Sequence, residues 1–188
     1  MPPSKTVFLK SLLRKELFRT LAQLKAPSRR KKSRRIAVKV AGMAEFRRAR
    51  NIMAYMPLRH EVDTRALLMK LLALKKNLFL PAVDRKRGEI AVFQVKNLKR
   101  DLVPGSYGIL EPRARCVSGR PSDLDLVLVP GLGFDRQGGR LGHGKGYFDK
   151  FLRKVKRAKK IGIAFKEQIL KKIPLEKHDQ RMDRVITD

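Results

Sequence analysis

Leucines recur at spacings of three and four near the start of the chain: Leu9, Leu12, Leu13, Leu17, Leu21 and Leu24. That spacing lays them along one stripe and predicts an amphipathic helix over residues 5–25. Pro27 ends it. Ser28 then starts a second helix, with Ile36, Val40, Met43 and Phe46 as its apolar face. Beyond this the pattern changes. Asn51-Ile52-Met53-Ala54-Tyr55-Met56 is a short apolar run stopped by Pro57, and it predicts a buried strand. Asp63-Thr64 can cap a helix whose body is residues 66–74. Leu78-Phe79-Leu80-Pro81 predicts a second strand, and the alternation over 89–95 a third. Asp125-Leu126-Val127-Leu128-Val129, closed by Pro130-Gly131, is the clearest strand of all. A helix is predicted over 147–157, a strand over 160–165, and a last short strand at Arg184-Val185-Ile186-Thr187.

Strands alternating with helices predict an α/β fold: a single three-layer α/β/α domain with a mostly parallel central sheet. Ligands of such sheets bind outside the carboxyl ends of the strands. No internal repeat or low-complexity linker divides the chain. Residues 1–188 therefore read as one domain, with an N-terminal helical segment over about 5–49 packed on the α/β core and its first helix across the active-site side.

Composition adds a question about partners. The chain has 188 residues, with 46 Lys+Arg against 17 Asp+Glu and a net charge of +29. Such an excess fits either a polyanion partner or a basic surface without one. Hydrophobic residues make up 43%, enough for a core, so wholesale disorder is not expected. A single Cys, Cys116, makes neither an intrachain disulfide nor a cysteine zinc site. The start, Met1-Pro2-Pro3-Ser4-Lys5, has no apolar signal region, and no apolar run approaches the length of a membrane span. A cytoplasmic monomer without membrane attachment is the expectation. The basic run Arg29-Arg30-Lys31-Lys32-Ser33-Arg34-Arg35 fits a solvated helix face or a nucleic-acid contact.

The chemistry concentrates after the clearest strand. Gly142-His143-Gly144-Lys145-Gly146 stands between that strand and the helix over 147–157. Glycines let backbone N–H groups turn toward a ligand, the helix start adds partial positive charge, and Arg140 and Lys145 add full charges. The sum is a phosphate cradle. Gly139 to Lys145 follows the P-loop spacing, but Gly146 stands where a Ser or Thr would hold magnesium, which argues against a P-loop NTPase. A loop that merely turns the chain is the plainer reading, and Arg140, Lys145 and the helix start count against it. Bound phosphates would call for a divalent cation with carboxylates nearby. Asp149, in the first turn of the helix, and Asp179 and Asp183, near the C-terminus, are the candidates. A helix N-terminal residue and a turn residue are the plainer roles for Asp149 and Asp179. His60, His143 and His178 show no metal-ligand spacing and are not read as ligands.

These residues resemble the 5-formyltetrahydrofolate cyclo-ligase family, also called 5,10-methenyltetrahydrofolate synthetases. Pro130-Gly131-Leu132-Gly133-Phe134-Asp135 and the run from Gly139 through Asp149 carry the family's signature. The likeness runs the length of the chain. Lys10-Ser11-Leu12-Leu13-Arg14 is similar to the N-terminal Lys-x-x-x-Arg element, and Glu61-Val62-Asp63-Thr64 and Leu80-Pro81 follow at the family's places. Gly108-Ile109-Leu110-Glu111-Pro112, Phe165-Lys166-Glu167-Gln168 and His178-Asp179 complete it.

The resemblance implies ATP- and Mg²⁺-dependent conversion of 5-formyltetrahydrofolate to 5,10-methenyltetrahydrofolate. The N5-formyl oxygen would attack the γ-phosphate to give a phosphorylated imidate-type intermediate. N10 would then attack the activated carbon, with ADP and phosphate released. Nucleotide would be held by Lys10, Ser11, Leu12, Leu13 and Arg14 of the first helix, and by Arg140, Leu141, Gly142, His143, Gly144, Lys145, Gly146, Tyr147 and Phe148 of the loop. Met56 and Glu61 would line the folate site, with residues 143–147 shared between the two ligands. Asp149 and Asp179 would hold Mg²⁺. Lys10, Arg14, Arg140, Lys145 and Tyr147 would serve catalysis. The chain departs from the family at Phe148, where many members have a second Tyr, and most of all in its net charge. A basic nucleic-acid-binding protein on the same scaffold, with reduced or no turnover, is the competing reading. It finds no aromatic interleaving in the basic runs and no known nucleic-acid signature to support it.

Overall fold

A computed structural model describes residues 4–84, 86–105 and 108–188; the Met1-Pro2-Pro3 start lies outside them. Among the described residues five α-helices, α1 (Lys5–Gln23), α2 (Ala26–Gly42), α3 (Ala44–Arg48), α4 (Arg65–Ala73) and α5 (Tyr147–Lys154), pack around a seven-stranded sheet. Its strands are β1 (Asn51–Met53), β2 (Asn77–Asp84), β3 (Glu89–Val95), β6 (Ser118–Gly119), β7 (Leu126–Val129), β10 (Lys159–Ala164) and β12 (Arg184–Thr187). They run in the order β12-β10-β7-β1-β2-β3-β6. β12 through β2 pair in parallel, whereas β2–β3 and β3–β6 are antiparallel. A two-stranded sheet joins β4 (Leu102–Pro104) to β5 (Leu110–Pro112). A three-stranded sheet joins β8 (Gly133–Asp135), β9 (Arg140–Leu141) and β11 (Ile169–Leu170).

The period of two sorts the core. Ile52, Leu78, Leu80, Leu126, Leu128, Ile161 and Ile163 face one side, packed with Leu17 and Leu21 of α1, Ile36 and Val40 of α2, Phe46 of α3 and Leu68 of α4. Met53, Phe79, Val127, Val129 and Ala164 face the other, against Phe151 and Leu152 of α5. Helices thus cover both faces of a mostly parallel sheet, as expected. Every residue of β7 is buried, because a central parallel strand has protein on both sides.

Several boundaries differ from the sequence reading. The first helix ends at Gln23, and Pro27 lies inside the first turn of α2, where its missing N–H costs nothing. Met43 is extended and breaks the second helix, leaving Phe46 on the separate α3. β1 stops at Met53, so Tyr55 and Met56 leave the sheet, and α5 stops at Lys154. Of Asp63-Thr64, Asp63 meets the helix start, its Oδ1 accepting the Arg65 N–H at 3.1 Å, whereas Thr64 makes no side-chain cap because its Oγ1 donates to Tyr55 O at 2.6 Å. The basic run of α2 is not a uniformly solvated face either. Ser33 is buried and its Oγ accepts the Asp63 N–H, and Lys32 pairs with Asp188 at 2.9 Å and Glu167 at 2.8 Å.

Candidate active site

A cleft of about 590 Å³ opens at the carboxyl ends of the parallel strands. Tyr55 and Met56 follow β1 into its wall, Pro130 follows β7, and Pro81 and Val83 of β2 with Ile90 of β3 make an apolar side. Val7, Lys10 and Arg14 of α1 close it from above, and residues 140–149 form its floor. Ligand position at the strand ends is the expected one for this topology.

The floor is the glycine loop. Gly144 (φ +98°) and Gly146 (φ +69°) adopt left-handed backbone that a side chain would strain. Gly146 caps α5, so the first-turn N–H groups of that helix, without intrahelical partners, open onto the cleft beside Tyr147 and Phe148. Arg14 Nε donates to Gly142 O at 2.9 Å and pins the loop to α1. The loop's approach is fixed from below by Gln168. This buried amide donates to Gly131 O (2.7 Å) and Leu132 O (3.1 Å), and its Oε1 accepts the Phe165 N–H (2.7 Å). Asp135, also buried, accepts N–H groups of Gln137, Gly139 and Ile173 and so ties β8 to the C-terminal segment. The segment from Asp135 to Gly139, unremarkable as sequence, is a hairpin that aims Arg140.

Cations and carboxylates alternate along the phosphate end. Lys10 lies 2.9 Å from Glu176 and 2.5 Å from Asp179, and Arg140 lies 2.7 Å from Asp149. The Gln180 N–H, next to Asp179 in the chain, donates to Asp149 Oδ1 at 3.3 Å, and both expected metal ligands line the cleft. Burial alone would raise the Asp179 pKa, but the Glu176 N–H, the Lys10 ammonium and His178 together hold it below the ordinary carboxylate range. Burial lowers the Arg14 pKa, against the pull of Asp179 and Glu176. Arg140 is buried, with its guanidinium 5.6 Å from the Phe148 ring centroid, and its Nε has no hydrogen-bond partner among the described residues. An orphaned buried cationic N–H, paired cations and hard carboxylate oxygens fit a nucleotide triphosphate with a magnesium ion.

The other end is drier. Glu61 is buried, accepts the Leu58 N–H at 2.9 Å, and has its pKa pushed by burial up to about 7, with that N–H opposing. Tyr55 is buried beside it, its hydroxyl without a partner among the described residues. Burial first, then the Glu61 and Asp63 charges, raise its pKa well above normal. A buried hydroxyl left unpaired is costly unless a ligand completes it. Tyr55→Phe is expected to raise the KM for the ligand that fills this end several-fold, with kcat nearly constant and no loss of melting temperature. A fall in kcat at unchanged KM would contradict this role.

Most of the residues expected from the sequence converge on the cleft: Lys10, Arg14, Met56, Glu61, Arg140 through Phe148, Asp149 and Asp179 all line it. Ser11, Leu12 and Leu13 do not; Ser11 Oγ donates to Phe8 O, Leu12 is exposed and Leu13 packs on the core. Sequence reasoning missed Tyr55 and Glu176, which no motif marks. It also did not anticipate that His60 and His143 meet, with Nε2 atoms 2.9 Å apart. Burial, then Arg29, lowers the His60 pKa. Burial, then His60 and the guanidiniums of Arg140 and Arg14, lower that of His143 to about 4.

Comparison with known proteins shows the family and the fold. The family model described as 5-formyltetrahydrofolate cyclo-ligase family matches residues 8–188. The chain is 35% identical over 167 residues to the "probable 5-formyltetrahydrofolate cyclo-ligase" of Schizosaccharomyces pombe, covering 81% of each chain. It is 30% identical over 186 residues to the 5-formyltetrahydrofolate cyclo-ligase of Mus musculus, covering 93% of this chain and 91% of that one. The solved structure of Aquifex aeolicus 5,10-methenyltetrahydrofolate synthetase superposes with a TM-score of 0.85 at 34% identity, over 95% of this chain and 89% of that one. The family match takes in every residue that lines the cleft except Val7, and the chain belongs to the 5-formyltetrahydrofolate cyclo-ligase family.

Proposed function

We propose that this chain closes 5-formyltetrahydrofolate to 5,10-methenyltetrahydrofolate at the expense of ATP, with Mg²⁺, releasing ADP and phosphate. The observation that carries the reading is one cleft with two unlike ends. Ion-paired cations and carboxylates stand at one, a buried carboxyl and an apolar wall stand at the other, and the loop over residues 140–148 spans both.

An amide-type oxygen is a poor leaving group; ATP supplies the phosphoryl group that makes it a good one, and Mg²⁺ screens the phosphate charge. The remaining work falls to the chain. Lys10 and Arg14, one turn apart on α1, present two cations to the phosphates, and Arg140 and Lys145 present two from the loop. Asp149 and Asp179 would hold the magnesium, with Glu176 beside Asp179 as a further oxygen donor. The first-turn N–H groups of α5 add donors that need no reorganisation. Glu61 and Tyr55 would orient the ring system of the folate, and Met56, Pro81, Val83 and Ile90 would exclude water around it. Catalysis would come mostly from holding both reactants in one cleft and from neutralising the transferred group. Phe148 brings a ring but no hydroxyl, so its part is stacking, here with the Arg140 guanidinium. We read the enzyme as a cytoplasmic monomer, a setting that suits the free thiol of Cys116.

The test is turnover. Purified protein with ATP, Mg²⁺ and 5-formyltetrahydrofolate is expected to produce the near-ultraviolet absorbance of the methenyl product. No product from the folded protein at saturating substrates would overturn the reading.

A further inference from the structure

His60 and His143 have no task in the scheme above beyond the shared loop position of His143. His60 follows β1 in the segment leading to α4, and His143 lies in the glycine loop, 83 positions away. Their rings meet at the rim of the cleft with centroids 5.2 Å apart, and the Phe18 ring backs both, at 5.3 and 6.1 Å. Glu61 is the third member. One oxygen of its carboxylate and one nitrogen of each ring lie within 4.8 Å of one another.

Two neutral imidazoles that face each other through Nε2 have two good arrangements. One ring donates a hydrogen bond to the other, or both lone pairs converge on a cation. Zinc bonds imidazole at about 2.0–2.1 Å and carboxylate at about 2.0–2.2 Å, so tetrahedral ligand atoms stand about 3.3 Å apart. From 2.9 Å the ring nitrogens need only part by a few tenths, and the carboxylate must draw in. The Leu58 N–H already holds Glu61 Oε2, the kind of outer partner that fixes a ligand carboxylate. Two imidazoles with one carboxylate select zinc-class cations over magnesium, whose preference is for oxygen. His60, Glu61 and His143 all line the cleft, which leaves room for a water as fourth ligand.

We propose that His60, His143 and Glu61 form a three-ligand site for one zinc-class divalent cation at the folate end of the cleft, and that its occupancy withdraws Glu61 from the folate. The second half rests on the function proposed above; the first does not. Arg29 stands near His60, and Arg14 and Arg140 near His143. Their repulsion of a dication sets the expected affinity in the micromolar range rather than the nanomolar range of a closed structural site.

Calorimetric titration of the full chain with Zn²⁺, without nucleotide or folate, is expected to show one equivalent bound. Millimolar Mg²⁺ should leave it in place. His60→Ala and, as a milder variant, His60→Gln should each weaken it by at least about tenfold. With Co²⁺ as the probe, the visible bands of imidazole ligation should appear in the wild type and fade in both variants. Circular dichroism of the metal-free variants checks their fold. Equal zinc affinity in wild type and His60→Gln would overturn the site. So would a loss confined to His178→Ala, which would move the ion to the Glu176–His178–Asp179 cluster. Saturating 5-formyltetrahydrofolate should raise the apparent zinc Kd. Zinc binding indifferent to bound folate would overturn the competition alone. Because the readout is binding, failure of turnover and failure of the site are seen separately.

Discussion

Arg140→Ala is expected to lower kcat/KM by about 10³-fold or more, in the range lost when a phosphate-clamping arginine is removed from a phosphoryl-transfer site. Three contacts make this residue hard to replace. One guanidinium nitrogen donates to Asp149 at 2.7 Å, another to Pro130 O at 3.4 Å, and the ring of Phe148 lies alongside. The side chain is nearly enclosed, at 4% exposure, so its charge acts where water screens little. Arg140→Lys keeps the charge but loses the planar fork, and it should recover only part of the activity. The alanine variant also strands Asp149 without its partner, so activity must be compared at equal folded fraction, read by circular dichroism. Near-normal turnover in Arg140→Ala would remove the residue from the phosphate end.

Glu61→Gln is expected to separate stability from function. The Glu61 carboxyl ionises at about 7 in the folded chain instead of its usual 4.5, because burial penalises the charge. At about 1.4 kcal/mol per unit, carrying ionised Glu61 costs the fold about 3 kcal/mol above neutral pH. The sign follows from proton counting. Between the two pKa values the folded chain holds more protons than the unfolded one, so this contribution makes stability fall as pH rises through that window, and it is flat outside it. Glutamine carries no charge and still offers an acceptor to Leu58 N–H. The variant should therefore melt several degrees higher than wild type at pH 8 and almost level with it at pH 4.5, while binding folate more than tenfold more weakly. An equal melting difference at both pH values would show that Glu61 carries no such penalty. Stability given up at a ligand-binding position is a common pattern in enzymes.

How far the residues alone announced this molecule depends on how many of them share each signal. Alternation over seven positions set the bounds of β3, and the four residues of β12 were equally legible. β4, β5, β6, β8, β9 and β11, at two or three residues each, are too short to show any period. Pro27 misled because a proline that ends one helix also suits the first turn of the next. At the site, glycines and a Lys-x-x-x-Arg turn are local patterns, and both were readable. The Lys10–Asp179 pair spans 169 positions and the Lys32–Asp188 pair 156, and no local spacing encodes them. Tyr55 read as the tail of a strand because its composition continues β1. Only the sheet's geometry shows that pairing ends and the ring turns inward.

The ion pairs between Lys10 and the segment holding Glu176 and Asp179 carry a consequence for how the enzyme comes into being. A residue of α1 must wait for partners made much later, since they lie 166 and 169 positions further along the chain. During synthesis the central sheet can begin to assemble while Lys10 still lacks its carboxylate partners, and the phosphate end of the cleft is not finished until Glu176 and Asp179 have been made. The ordering cost of that long closure falls on the final step. A chain made only as far as Asp149 would thus hold the glycine loop, Glu61 and Tyr55 but lack Glu176 and Asp179, the carboxylates that fix Lys10.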